Sequence, residues 1–378
     1  MKKKVAAVIA VIVFGSGLAS AQWIKAVTPP SARSFAMGGH HAALADDFSV
    51  LFSNPAGLTK VKPELFIAQA GVRASGPIFD IAGALVGGGD ILNSLLAVLK
   101  QNGNKLYAGA DIAGPLAFGY VGRGLGFGFF NRTQAVADAT SLTSISANAS
   151  EQMLLVGGYG FGIDLGGSSI DFGLLAKGYM NGELVVKSSV FDIESVIAKP
   201  LGQPFRLITG IGIDAGLLWS MGKTAAIGIS FRDAFSPALV TSYTSYEDFV
   251  ANPSVAKTGA VASRVRPDLS VGVSYTPKLG SLAAVFDRLL FALDYSDILD
   301  LTTALPRNAI LNVGMGMEAK VLDILYLRAG IADALLSAGI ALDLSIFRLN
   351  ASAWGTELGL EPGQRSVYNL LISVEFRF

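Results

Sequence analysis

From Tyr368 to Phe378 the chain alternates almost without interruption. Tyr368, Leu370, Ile372, Val374, Phe376 and Phe378 fall on one side of an extended strand, and Asn369, Ser373, Glu375 and Arg377 on the other. The same two-residue period recurs upstream. Leu269, Val271, Val273 and Tyr275 oppose Asp268, Ser270, Gly272 and Ser274, and Ala225, Ile227, Ile229 and Phe231 oppose Thr224, Gly228, Ser230 and Arg232. Such a period argues for strands with two chemically different faces rather than for amphipathic helices.

Hydropathy decides what the apolar faces meet. Hydrophobic residues make up 51% of the chain and mean hydropathy is +0.51. Beyond residue 21, however, no run of about 18 uncharged apolar residues occurs, so spanning helices are not expected. Backbone groups in hydrocarbon must be bonded within the protein, which leaves a sheet closed on itself. The expected fold is therefore all-β: a transmembrane antiparallel barrel whose apolar side chains face lipid and whose small or polar ones face the lumen. A soluble β-sandwich is the alternative, and it lacks a reason for the loop pattern described next.

Candidate strands run from Glu64 to Ser75, Lys105 to Val121, Gly124 to Thr133, Glu151 to Asp164, Ser169 to Lys187, Phe205 to Trp219 and Thr224 to Asp233. The second half adds Pro267 to Pro277, Arg288 to Asp297, Arg307 to Ala319, Ile324 to Ile331, Leu335 to Asp343, Ser345 to Gly355 and Val367 to Phe378. About 14 strands result, an even number as bacterial single-chain barrels have. Every second connection is short, as at Gly122-Arg123, Leu165 to Ser168, Ser220 to Lys223, Lys320 to Asp323 and Leu344, with Lys278 to Asp287 as the exception. The intervening ones are long: Gly76 to Asn104, Gln134 to Ser150, Ser188 to Pro204, Ala234 to Arg266 and Thr356 to Ser366. Short periplasmic turns and longer extracellular loops produce that asymmetry. One loop carries a helical signal: Asp90 as N-cap, then Ile91, Leu92, Leu95, Leu96 and Leu99 before Gly103. Its apolar stripe suits either capture of apolar molecules or packing over the rim.

The other end of the chain reads as a secretory signal peptide over residues 1–21. Lys2, Lys3 and Lys4 precede the apolar run Val5 to Leu18 and the small residues Ala19-Ser20-Ala21. A retained membrane helix is the alternative, but the run is shorter than the ~20 residues a span needs. Setting those three lysines aside leaves 26 of the 29 basic residues against 29 acidic ones, a net charge of −3. This balance gives no reason to expect nucleic acid as a partner. The absence of cysteine excludes disulfides, thiolate metal sites and a lipidated cysteine anchor.

Between the signal and the first strand lies the most specific motif. Residues 22–63 are expected as a compact plug, and residues 64–378 as the barrel. The segment contains Met37-Gly38-Gly39, Ala45-Asp46-Asp47 and Asn54-Pro55-Ala56-Gly57-Leu58 in that order. This succession resembles the start of the FadL-type outer-membrane transport proteins, and the terminal Phe376 and Phe378 suit the barrel-insertion signal read by the assembly machinery. The resemblance implies a 14-stranded barrel in the bacterial outer membrane, closed by an N-terminal hatch. It further implies uptake of long-chain fatty acids or other hydrophobic small molecules, with a lateral gap releasing ligand into the bilayer. On that comparison Asn54, Pro55, Ala56 and Gly57 are the ligand-gating motif, and Met37, Gly38, Gly39, Asp46 and Asp47 belong to the plug. Proline fixes φ and asparagine can bond local backbone in a turn, so the motif's role is conformational, whether gating or anchoring. The same N-terminal pattern occurs in barrels that look like secretion-system shuttles, which leaves a non-transporting scaffold as the alternative function.

Asp171, Lys177, Asp214, Arg232, Asp268, Asp294, Glu318, Arg328 and Arg348 are predicted to line the lumen, paired with one another or offering a basic group to a ligand carboxylate. No enzyme is expected, and no cofactor or metal. The two histidines, His40 and His41, are adjacent and do not form a metal set or triad by themselves. Gly122 to Gly128 lies in a hairpin rather than a strand-to-helix turn, and Gly87-Gly-Gly-Asp90 is not followed by a phosphate-binding lysine. A transporter predicts an apolar pocket beneath the plug and a break in the wall; a scaffold predicts a filled lumen.

Overall fold

The computed structural model describes residues 23–86 and 90–378. The expected signal peptide lies outside them, apart from which every candidate strand can be placed. The barrel begins with β1 (Glu64–Ser75) and a two-part β2 (Leu106–Ala113 and Phe118–Gly122). It continues through β3 (Leu125–Ser141), β4 (Ser144–Asp164), β5 (Ser168–Ser188) and β6 (Phe205–Met221). Two more strands are divided: β7 (Ala225–Phe235 and Pro237–Tyr243) and β8 (Lys257–Val265 and Asp268–Tyr275). The circuit is completed by β9 (Arg288–Tyr295), β10 (Val313–Val321), β11 (Leu325–Ala332), β12 (Leu335–Asp343), β13 (Phe347–Glu357) and β14 (Ser366–Arg377).

Each barrel strand pairs antiparallel with its sequence neighbours, and β14 returns to β1 in register from Asn369↔Ser75 to Phe376↔Ala68. Phe378 and Leu65 exchange two further backbone bonds of 2.7 and 2.8 Å. The result is a closed 14-stranded antiparallel barrel, so no sheet edge is left along the main seam.

Alternation follows the expected faces. Along β14, Tyr368, Leu370, Ile372 and Phe376 are exposed, whereas Asn369, Leu371 and Ser373 are buried in the interior. Other exposed apolar positions, such as Phe127, Leu155, Leu174, Ile211 and Leu293, extend this surface around the barrel. That belt fits a bilayer, because a continuous apolar exterior on a closed sheet has hydrocarbon as its natural solvent.

Strand ends differ from the sequence expectation where side chains rise above the apolar belt. The span from Gln134 to Ser150 is not a loop: β3 reaches Ser141 and β4 resumes at Ser144. β4 is 21 residues long, about twice the ~9–11 that a tilted strand needs to cross hydrocarbon. Polar residues on its outer face, including Glu151 bonded to Asn131, mark the lipid boundary rather than the end of pairing. For the same reason Ala234 to Arg266 contains paired halves of β7 and β8, joined through helix α6 below. The stretch from Arg307 contributes a short 3-10 turn, Ala309–Asn312, before β10 begins at Val313.

Helices are few. Two lie in the N-terminal segment, α1 (Ala32–Ala36) and α2 (Val50–Ser53). Above the long-loop end are α3 (Ile78–Val86), α4 (Ile91–Gln101), α5 (Ile193–Ala198) and α6 (Tyr246–Ala251). Asp90 caps α4 by accepting from Asn93 N. The apolar stripe of α4 packs with Leu106, Ala139 and Val190 on the rim.

Candidate functional site

The N-terminal segment packs against the inner wall, and each sequence element of its motif has a distinct contact there. Ser31 caps α1 by accepting from Ser34 N, and α1 ends at Met37. Gly38 then turns with φ +84°, against the carbonyls of Met315 and Ile331. A Cβ at Gly38 would come within 2.4 Å of the Ile331 oxygen, so close approach and positive φ both demand glycine. Gly316 and Gly330 provide matching hollows for Met37 from the wall side. Phe35 stacks on Trp354 at 4.1 Å, and Ala32 packs with Trp354 and Leu371.

Asp46 and Asp47 converge on Arg33. Its guanidinium donates to Asp46 Oδ1 and Asp47 Oδ2 at 2.7 Å and, through Nε, to Glu318 Oε2 at 2.9 Å. Arg288 on β9 also contacts Asp46, and Arg328 on β11 contacts Glu318. Three guanidiniums therefore share three carboxylates in one network joining the segment to β9, β10 and β11. Burial works to raise the Asp46 carboxyl, but Arg33 and Arg288 outweigh it and hold it down at about 2. His41 lies close by, with Nδ1 2.5 Å from Asp294 Oδ2 and Nε2 2.8 Å from the Met37 carbonyl. His41 thus ties the segment to the wall, and among the described residues no cluster of His, Asp and Glu could hold a metal ion.

Asn54 is 1% exposed and links three places at once. Its Oδ1 accepts from Ala56 N at 3.0 Å, capping the 3-10 turn Pro55–Thr59. Its Nδ2 donates to Ala42 O at 2.6 Å and to Leu217 O on β6 at 3.1 Å, with Ile229 O on β7 at 3.3 Å. Gly173 and Gly216 make this approach possible: a Cβ at Gly216 would lie 1.9 Å from Asn54 Oδ1, and one at Gly173 2.2 Å from the Pro55 carbonyl carbon. Leu58 and Gly57 sit beside Val50 and Leu51 in the main apolar cluster, which takes Leu154 and Leu175 from the wall.

The nine predicted lumen charges all lie on the inner face, from Asp171 at 1% exposure to the part-buried Arg232 and Asp268. Most are paired: Lys60 with Asp171, Lys177 with Asp214 and Asp233, Arg232 with Asp268, and Arg348 with Asp343.

Several spaces surround the segment, one of about 350 Å³ lying over the Arg33, Asp46 and Glu318 network. On the short-turn side a basin of about 740 Å³, lined by polar and apolar residues alike, opens between Lys60, Asp171, Lys223 and Arg288 and reaches Leu44, Leu218 and Leu290. On the other side a cavity of about 400 Å³ is lined by Trp23, Ile24, Val27, Leu51, Phe52 and Leu154, together with charged wall residues. Apolar lining thus lies on both sides of the segment, mixed with charged residues on each. A smaller space of about 60 Å³ is bounded by Phe48, Phe52, Phe66 and Phe130. Phe52 borders both of the last two, and its ring meets Phe130 edge-on at 5.1 Å.

Behind the aromatic group the wall itself is interrupted. β1 pairs with β2 up to Gly71↔Ala113 and again from Phe66↔Gly119, leaving residues 67–70 without ladder partners on that side. Against β3 the register jumps from Ala113↔Arg132 to Phe118↔Phe129, so β2 holds two surplus residues there. Gly114 at φ +84° approaches the Gln69 carbonyl too closely for any Cβ. Proline lacks the donor that a ladder needs, which accounts for the strand leaving the sheet at Pro115. Leu116 projects outward, 60% exposed, while Ala117 packs inward with Phe48, Phe66 and Phe130.

Among solved structures, the P. putida toluene transporter TodX resembles this chain with a TM-score of 0.50 and 13% identity, covering 93% of this chain and 99% of TodX. The chain has the FadL-type fold. A Pseudomonas aeruginosa FadL homologue aligns over 93% of this chain and 98% of its own, at 12% identity and a TM-score of 0.47. The monoaromatic hydrocarbon channel CymD aligns over 91% and 96%, at 12% identity and 0.42. No protein-family model matches the sequence, and no curated protein matches it.

Proposed function

We propose that this chain is a channel of the bacterial outer membrane for hydrophobic small molecules, long-chain fatty acids or other apolar compounds. Residues 22–63 form its plug, and the interruption in β2 is its lateral exit. The observation that carries this reading is the sequence of spaces: a cavity with one apolar side, Phe52, a group of phenylalanines, then a gap in hydrogen bonding that opens toward the lipid belt. Unpaired backbone in hydrocarbon costs several kcal/mol per group, so a break at that height calls for a use. An apolar ligand leaving sideways never has to cross the charged short-turn mouth. The toluene transporter with the same fold supports the reading. Export by the N-terminal signal and insertion by the barrel-assembly machinery through Phe376 and Phe378 belong to it. In this reading Asn54, Pro55, Ala56 and Gly57 hold the plug closed and yield during passage.

Deleting Pro115 and Leu116 removes the two residues that β2 has in surplus over β3. In vesicles, uptake of a fluorescent fatty acid should fall to the protein-free rate, while binding to the detergent-solubilised variant persists. Undiminished uptake through a variant whose strand content matches the parent would refute the lateral route.

A further inference from the structure

Directly opposed residues of antiparallel strands point to the same face of a sheet. Val72 on β1 and Ile112 on β2 are opposed, and both are exposed on the lipid side. Steps of two along β2 keep that face and reach Ala110, Ala108 and Leu106, whose partners on β3 are Ala135, Ala137 and Ala139. Ala139 is opposed in turn by Ile145 on β4. The upper outer face of these strands is therefore a field of alanines with Leu106 and Ile145 at its top. That top is covered. Ala108 is 1% exposed, and Leu106 and Ala139 are buried in one cluster with Val98 and Leu99 of α4. Helices α3 and α4 thus lean against the outside of the wall, above the belt that Val72 and Ile112 belong to, and not across the mouth of the barrel.

The free sides of the two helices differ in chemistry. α4 turns its apolar stripe to the wall and presents Asn93 and Lys100 to solvent. α3 sends Ile81 into the same cluster, and its free side carries Phe79, Ala82 and Gly83, which share one helical face. Phe79 is 78% exposed, and the space beside Gly83 is open. Asp80, the one charge in Ile78–Val86, stands at the flank of that face in the first turn, where the helix dipole favours it. An apolar face on one helix beside a polar face on its neighbour calls for two different surroundings.

Height supplies the apolar one. β1 has 12 residues, and at ~3.3 Å per residue and a tilt of ~45° it climbs about 28 Å, enough to cross an apolar band of about 25 Å. The chain leaves the sheet at Gly76 and enters α3 through Pro77, so α3 starts at the level where hydrocarbon gives way to head groups. We infer that α3 is an interfacial helix that lies on the outer leaflet with Phe79, Ala82 and Gly83 set into it, its partner being the lipid surface rather than a captured ligand. Its apolar face continues the belt of Val72 and Ile112. It does so on β1 and β2, the strands that carry the break, and so fixes the level of the bilayer there.

The chain contains no cysteine, so a single introduced one takes a nitroxide label without further changes. Phe79→Cys, Val72→Cys and Lys100→Cys are labelled in the full folded chain and placed in phosphatidylcholine nanodiscs, and the ratio of collision rates with oxygen and with a water-soluble nickel chelate is read by power saturation. Oxygen concentrates in hydrocarbon and the chelate in water, so the ratio at position 79 should approach that at 72 and exceed that at 100 severalfold. Gly83→Cys, whose side chain enters open space, repeats the reading on the same face. Ratios at 79 and 83 equal to that at 100 overturn the inference. Ratios that rise there only when dodecane is added overturn it too, because they mark a surface for captured ligand. Either result leaves the channel reading untouched.

Discussion

Removing the Asn54 side chain should undock the N-terminal segment while leaving the barrel intact. Alanine eliminates the acceptor for Ala56 N and the donor to Ala42 O, contacts of 3.0 and 2.6 Å, and weakens the hold on β6 and β7. Each buried group left without a partner costs about 1–3 kcal/mol. Taking two such groups at the middle of the lower half of that range gives a loss of about 3 kcal/mol, roughly a hundredfold in the ratio of docked to undocked segment. Aspartate should be worse. It keeps the acceptor for Ala56 but turns a carboxylate toward the carbonyl oxygens of Ala42, Leu217 and Ile229, which repel it. Hydrogen exchange on peptides from residues 31–61 reads the docking equilibrium, with peptides from β14 as the internal standard. The expected order of protection is parent, then Asn54→Ala, then Asn54→Asp. Protection in the aspartate variant equal to the parent would refute the reasoning, as would loss that is uniform across segment and barrel, which would make Asn54 a determinant of barrel folding instead.

Gly216→Ala should reproduce the Asn54→Ala exchange pattern without touching the segment, because its new methyl would stand 1.9 Å from Asn54 Oδ1; unaltered protection would show that the wall yields there. Docking should also be acid-sensitive. The docked Asp46 carboxyl sits at about 2 against an ordinary 3.8, so its contribution is full above the ordinary value and lost as pH falls from about 4 toward 2. Asp46→Asn should flatten that part of the exchange profile, and an identical profile would assign the acid response elsewhere. Deleting Phe378 removes two backbone bonds across the β1–β14 seam, together with an outward aromatic, and should lower the yield of folded barrel in lipid refolding measured by circular dichroism. A yield equal to the parent would show that the seam does not depend on its last residue.

The barrel was legible because lipid imposes one rule on every strand, outward apolar and inward small or polar. That rule fails above the bilayer, where Asn131, Thr133 and Glu151 make a polar outer face, and so the upper halves of β3 and β4 resemble loops. The three motif elements were legible as a group, and the structure ties each to a separate part of the wall. The wall break was less visible: a single strand from Lys105 to Val121 passes over Pro115, although a proline inside a strand is itself a warning. What alternation alone conceals is the segment's footprint. Leu154, Leu175, Leu218 and Leu371 occupy inward positions that a water-filled lumen would leave polar, and all four are buried against or beside residues 32–58. Apolar residues out of phase with the dyad therefore mark where a chain segment lies inside.

The bond between Arg33 and Glu318 spans 285 residues of sequence, and those of Asn54 with the wall span 163 and 175. The N-terminal segment therefore needs a socket whose pieces are spread over most of the chain. Contacts of such long range form late. Docking of residues 31–59, rather than closure of the sheet, is therefore expected as the last step of folding.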